Sequence, residues 1–148
     1  MNRRHIISFE LAKLLKEFGC NCVTNFYYRS DGNPEIGIEV NNDILMEGNI
    51  ASPCYYELED WLEKTYNVYI DTSYHYNFEQ KKMYYYCTIH FPNISKYPGL
   101  ENSYQIKPGT DHGDFYLEEF DNREDALEKA FKMAISYIID NKFISTTN

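Results

Sequence analysis

The sequence predicts an α+β fold, an antiparallel sheet of four to five strands with helices packed on one face. Three observations point there. Apolar residues recur at helical spacing in three separate stretches, near 8–18, 53–66 and 123–141. Residues 68–91 alternate like a β-hairpin with a polar turn in the middle. Hairpins and helices follow one another in the order α-β-β-α-β-β-(β)-α, without the strict βαβ alternation or glycine-rich phosphate loop of a doubly wound fold.

Ser8 is placed to cap the first helix, which runs to about Phe18. Ile7, Leu11, Leu14, Leu15 and Phe18 share one face, and Gly19 supplies the stop. Two β-rich runs then flank Asp31-Gly32-Asn33-Pro34, a strong turn cluster, and predict strands near 22–30 and 35–41. Ile36, Ile38 and Val40 alternate with Gly37 and Glu39, so that one face is expected to be buried. In the middle, "SPCYYELEDWLEKTY" reads as a helix start with Ser52 as cap and Pro53 at the first helical position. Cys54, Leu58, Trp61, Leu62 and Tyr66 form its apolar stripe, and Glu57, Glu59, Asp60 and Glu63 an acidic, solvated face.

Residues 68–91 hold six tyrosines and two histidines. A hairpin turning at Glu79-Gln80-Lys81-Lys82 pairs residues whose numbers sum to 159. One face is then Val68, Ile70, Thr72, Tyr74 and Tyr76 against Phe91, Ile89, Cys87, Tyr85 and Met83, largely apolar. The other pairs Tyr69 with His90, Asp71 with Thr88, Ser73 with Tyr86 and His75 with Tyr84. A one-residue slip scrambles both faces, so the pattern fixes the parity. Residues 93–113 have little periodicity and read as a long loop. "DFYLEEF" is expected to add a short strand. Asp121 and Glu124 then open a last helix, with Leu127, Ala130, Phe131, Ala134, Ile135 and Ile138 on one face. The chain thus reads as one domain over 1–142 with a frayed tail at 143–148.

Fourteen Lys and Arg against twenty-three Asp and Glu give a formal charge of −9. That disfavours nonspecific nucleic-acid binding, which needs cations to displace phosphate counterions. Met1–Leu15 does not resemble a signal peptide, and no run approaches a membrane span, so a cytoplasmic location is expected. Cys20, Cys22, Cys54 and Cys87 lack zinc-knuckle spacing and read as reduced structural cysteines.

Candidate chemistry is sparse. Thr110-Asp111-His112-Gly113-Asp114 gathers an imidazole and two carboxylates in five residues but reads as a turn, so no metal ligands are assigned and no cofactor is implied. His75 and His90 share the polar hairpin face, yet about 20 Å of strand lies between the two ends. They cannot act as an acid–base pair within the hairpin, and no partner from elsewhere is evident. Cys87 falls on the apolar face, which disfavours a Cys–His nucleophile. Tyr69, Asp71, His75, Tyr84, Tyr86 and His90 remain as a candidate face for a ligand or partner. Burial beneath the 93–113 loop or in a homodimer is the competing expectation for it.

"SFELAKLLKEFG", "ASPCYYELEDWLEKTYNVYI" and "FDNREDALEKAF" together resemble a widespread group of small phage and prophage accessory proteins. The sequence departs from that pattern at Ala51-Ser52-Pro53, where the group has Ala-Pro, and at Asn122-Arg123-Glu124-Asp125, where it has a Tyr-Glu-Glu run. The resemblance implies an accessory protein of a mobile element in a bacterial cytoplasm and carries no activity with it. The leading expectation is therefore a binding module, rather than an enzyme, that engages a host protein and inhibits a defence or housekeeping function. A binder of a small nucleotide or second messenger, or a small phosphodiesterase, working at the Tyr/His face is the second. An acidic DNA mimic is the third.

Overall fold

The computed structural model describes residues 6–92, 105–106 and 110–146. The chain divides into two compact units, Met1–Lys64 and Thr65–Asn148. Among the described residues, no helix is long and apolar enough to cross a membrane.

The first unit holds α1 (Phe9–Phe18), β1 (Thr24–Tyr28), β2 (Pro34–Val40), β3 (Ile50–Ala51) and α2 (Tyr55–Tyr66). α1 forms as its sequence dictates. The Ser8 hydroxyl accepts from the Leu11 amide at 3.1 Å, Gly19 ends the helix at φ +90°, and Leu11, Leu15 and Phe18 are buried. The strands order β2-β1-β3, all antiparallel.

Two local expectations fail in this unit. Ile36 and Ile38 are 65% and 86% exposed, not buried. β2 is an edge strand, and its register with β1 shifts between Thr24 and Phe26. Glu39 takes up a left-handed φ of +48° within the irregular stretch, with its amide held by Asn25 at 3.0 Å, and at the sheet edge nothing covers the isoleucines. The cap of α2 also moves. Ser52 is buried and bonds the Ile7 carbonyl, and Pro53 lends its carbonyl to the Ile7 amide at 3.1 Å. Cys54 stands at the cap position, and the Glu57 carboxylate reaches back to its amide at 2.8 Å.

The second unit holds β4 (Tyr69–Asn77), β5 (Lys82–Phe91), β6 (Gln105–Ile106), β7 (Gly113–Tyr116) and α3 (Arg123–Thr146). The hairpin has the expected register: every β4–β5 pair sums to 159, from Tyr69 with His90 to Asn77 with Lys82. β7 pairs with the other edge of β5, giving the order β4-β5-β7-β6. Val68, Cys87, Ile89 and Phe91 are fully buried on the apolar face. α3 lies against β5 and β4, and its Tyr137 ring meets Phe115 of β7 at 5.4 Å. All six residues of its expected stripe are buried.

The α+β class therefore stands, with the strands divided between two antiparallel sheets and with β3 and β6 added. Part of the expected 93–113 loop is strand, because Gln105–Ile106 pairs with β7; residues 93–104 and 107–109 lie outside the described residues. Asn122, not Asp121, caps α3: its side chain accepts from the Asp125 amide at 2.8 Å. The helical backbone continues to Thr146.

Near the hairpin turn, Tyr74 on the expected core face is 72% exposed, and Tyr76 and Phe78 are exposed beside it. β4 is the sheet edge here, so these rings stand free of the core that forms around Ile89 and Phe91.

Candidate functional site

The polar face of the second unit carries one convergence of chemistry-bearing side chains. β5 presents His90, and its register with β4 sets Asp71 diagonally across. β7 is antiparallel to β5 and places Asp114 directly opposite His90. His112 lies two residues before Asp114, and alternation along an extended chain sends both side chains to the same face. Tyr69, Asn67 and Pro92 complete a cavity of about 490 Å³ around them.

The four polar groups form a chain. Asp71 Oδ2 lies 2.8 Å from His90 Nε2, and Asp114 Oδ1 lies 2.6 Å from His90 Nδ1. The same Asp114 oxygen stands 2.5 Å from His112 Nε2. His90 and Asp114 are each 23% exposed at the side chain, whereas Asp71 reaches into solvent. Burial by itself would raise the Asp114 pKa. Hydrogen bonds from His90 and His112, with their positive charge when protonated, outweigh it and hold the carboxyl below the usual carboxylate range.

The candidate residues read from the sequence separate into two groups. Tyr69, Asp71 and His90 meet in this cavity. His75 stands at the far end of the hairpin on its own partner, Glu119, at 2.6 Å. Tyr84 bonds Gln80 and lies beneath the Lys82 ammonium, and Tyr86 sits mid-strand opposite Ser73. The histidine partner that the hairpin lacked is His112, from the run read as a turn. Its H-x-D spacing was the available signal. What the spacing could not reveal is that β7 docks on β5 in the register that brings Asp114 to His90.

The first unit carries another cavity, of about 600 Å³, beside Cys22, Glu57, Asp60 and Trp61. Its polar groups are committed to structure. Glu57 holds the Cys54 amide and accepts from the Thr24 hydroxyl at 2.9 Å, Lys64 binds Asp60 at 2.8 Å, and the Trp61 indole donates to Asn21. Burial first, then the neighbouring Cys20, Glu57 and Asp60, push the Cys22 thiol up to about 12, so it is a poor nucleophile. Among the described residues, the convergence of ionisable side chains at His90 is therefore the candidate site.

No family model, no curated protein and no solved structure matches this chain.

Proposed function

We propose that this chain is a binding protein whose ligand is a small molecule taken at the His90 cavity of the second unit. One observation carries the reading: Asp71, His90, His112 and Asp114, from three separate stretches of sequence, converge on one shallow, open depression with Tyr69 on its wall. A structural hydrogen bond needs one donor and one acceptor. Four ionisable groups in a row, lining one surface depression, support a recognition site. The tyrosine offers an aromatic wall suited to a nucleotide-sized ligand. The setting assumed is a bacterial cytoplasm.

Native mass spectrometry of protein taken directly from cell lysate tests this. The wild type is expected to carry an added mass that His90→Ala lacks. A bare chain in both samples contradicts the reading.

The host-protein reading has support of its own in Tyr74, Tyr76 and Phe78. Tyr76 and Phe78 pack edge to face at 5.0 Å, and Phe78 is 83% exposed. Exposed aromatic groups of this kind anchor protein interfaces. Tyr74→Ser with Phe78→Ser is expected to abolish capture of a host protein that the wild type retains at high salt. Capture unaffected by the pair removes the support.

A further inference from the structure

The His90 cluster is short of positive charge in a way that can be counted. A neutral imidazole has one N–H and one lone pair. His90 faces a carboxylate oxygen at each nitrogen, Asp71 at 2.8 Å and Asp114 at 2.6 Å. With one proton, it sets a lone pair against one of those oxygens. The Asp114 oxygen also faces His112 Nε2 at 2.5 Å, so one oxygen serves two ring nitrogens. Two ring nitrogens thus converge on the one Asp114 oxygen.

The donor set favours a metal cation. Among the described residues, His90, His112 and Asp114 form a group whose ligand atoms all lie within 4.8 Å of one another. Around a tetrahedral ion with bonds of about 2.0–2.1 Å, ligand atoms stand roughly 3.3 Å apart. The N–O separations of 2.6 and 2.5 Å would have to open by about 0.7–0.8 Å to enclose one, and the two ring nitrogens, within 4.8 Å of each other, would have to close by at most about 1.5 Å. Two imidazoles and a carboxylate suit a borderline-soft ion and not Mg²⁺ or Ca²⁺, which take oxygen ligands. Asp71 adds an independent feature. It holds the His90 nitrogen that points away from Asp114, which is the carboxylate–histidine arrangement that orients a metal-binding imidazole.

We propose that His90, through Nδ1, His112, through Nε2, and Asp114 bind one divalent transition-metal ion of the zinc type, with Asp71 as the positioning residue behind His90. On binding, each imidazole keeps one proton, His90 at Nε2 toward Asp71, and gives its other nitrogen's lone pair to the ion. Three protein ligands leave a coordination position open, and the cavity walled by Tyr69 and Asn67 lies beside it. This deepens the small-ligand reading on which it rests, because the ion becomes the anchor for a ligand oxygen or nitrogen.

The test uses the full chain, stripped with a chelator and titrated with Co²⁺ while visible absorbance is recorded, then with Zn²⁺ in competition. The wild type is expected to take up one equivalent of Co²⁺, to release it to Zn²⁺ and to ignore Mg²⁺. His90→Ala and Asp114→Asn are expected to lose the absorbance, and Asp71→Asn to weaken binding about 10- to 100-fold. His112→Gln, in the segment leading into β7, supplies the same test if His90→Ala fails to fold. Wild type that binds no more Co²⁺ than His90→Ala/His112→Gln overturns the metal. If chelated wild type still carries a small-molecule mass that His112→Gln lacks, the binding reading survives without it. If it takes up neither, both fall.

Discussion

His90 owes its place to strand register, and its neighbours owe theirs to it. Tyr69, Asp71 and His90 were legible only as part of a six-residue hairpin face with His75, Tyr84 and Tyr86, because alternation puts all six on one side and the apolar pattern fixes the parity. His112 and Asp114 were not, because a strand of four residues carries too little periodicity to announce its partner. The thiols make a separate prediction at this scale. Burial pushes Cys20 and Cys54 up to about 11, and burial with neighbouring charge pushes Cys22 up to about 12. Thiolate is the reactive form, so at pH 8 roughly one thiol in a thousand or fewer is available. Iodoacetamide is expected to label native protein far more slowly than urea-unfolded protein at all three positions, read by peptide mass spectrometry. Equal rates at Cys22 contradict its assigned environment. A folded-state pKa above the unfolded value means that stability is intact below the ordinary thiol pKa of about 8.5 and declines as pH rises toward 11–12. Melting temperature should follow that course, and Cys22→Ser should make it shallower, since Cys20 and Cys54 still contribute.

Elements whose signals are local were read well. α1 has its cap, stripe and glycine stop in one short stretch, and α3 buries its whole apolar stripe. The expectation failed where the answer depended on distant chain. Alternation in β2 could not reveal that the strand lies at an edge with a bulge, and Ser52 was drawn away from its capping role by the Ile7 carbonyl 45 residues earlier. Capping substitutions test the assignments. Asn122→Ala is expected to cost about 1 kcal/mol in urea unfolding, and more than Asp121→Ala, whose partner Lys82 is solvent-exposed. Equal costs contradict Asn122 as the cap. Gly19→Ala meets open space but must hold φ near +90°, so it should cost about 1–2 kcal/mol through backbone strain alone. Tyr74→Ser and Phe78→Ser, by contrast, should leave stability within about 0.5 kcal/mol, since neither ring is in the core.

At the scale of the whole molecule, the α+β class followed from the alternation of hairpins with helices, and the division into two sheets did not. Nothing in the alternation of β1 and β2 says whether they extend the β4–β5 hairpin or close on β3, since two-residue strands leave no pattern. Function is harder still, because the site joins residues from positions 71, 90, 112 and 114. Its acidic character at the level of the chain, −9, says little about a cavity whose own groups are two imidazoles and two carboxylates. The central claim is that His90 and His112 belong to one site and His75 does not. Long-range ¹H–¹⁵N spectra of the histidine side chains test it directly, recorded on chelated protein before and after one equivalent of Zn²⁺. The His90 and His112 ring nitrogens should shift together and saturate at the same stoichiometry, while those of His75 stay in place beside Glu119. Signals of all three that move alike, or none that move, contradict the account.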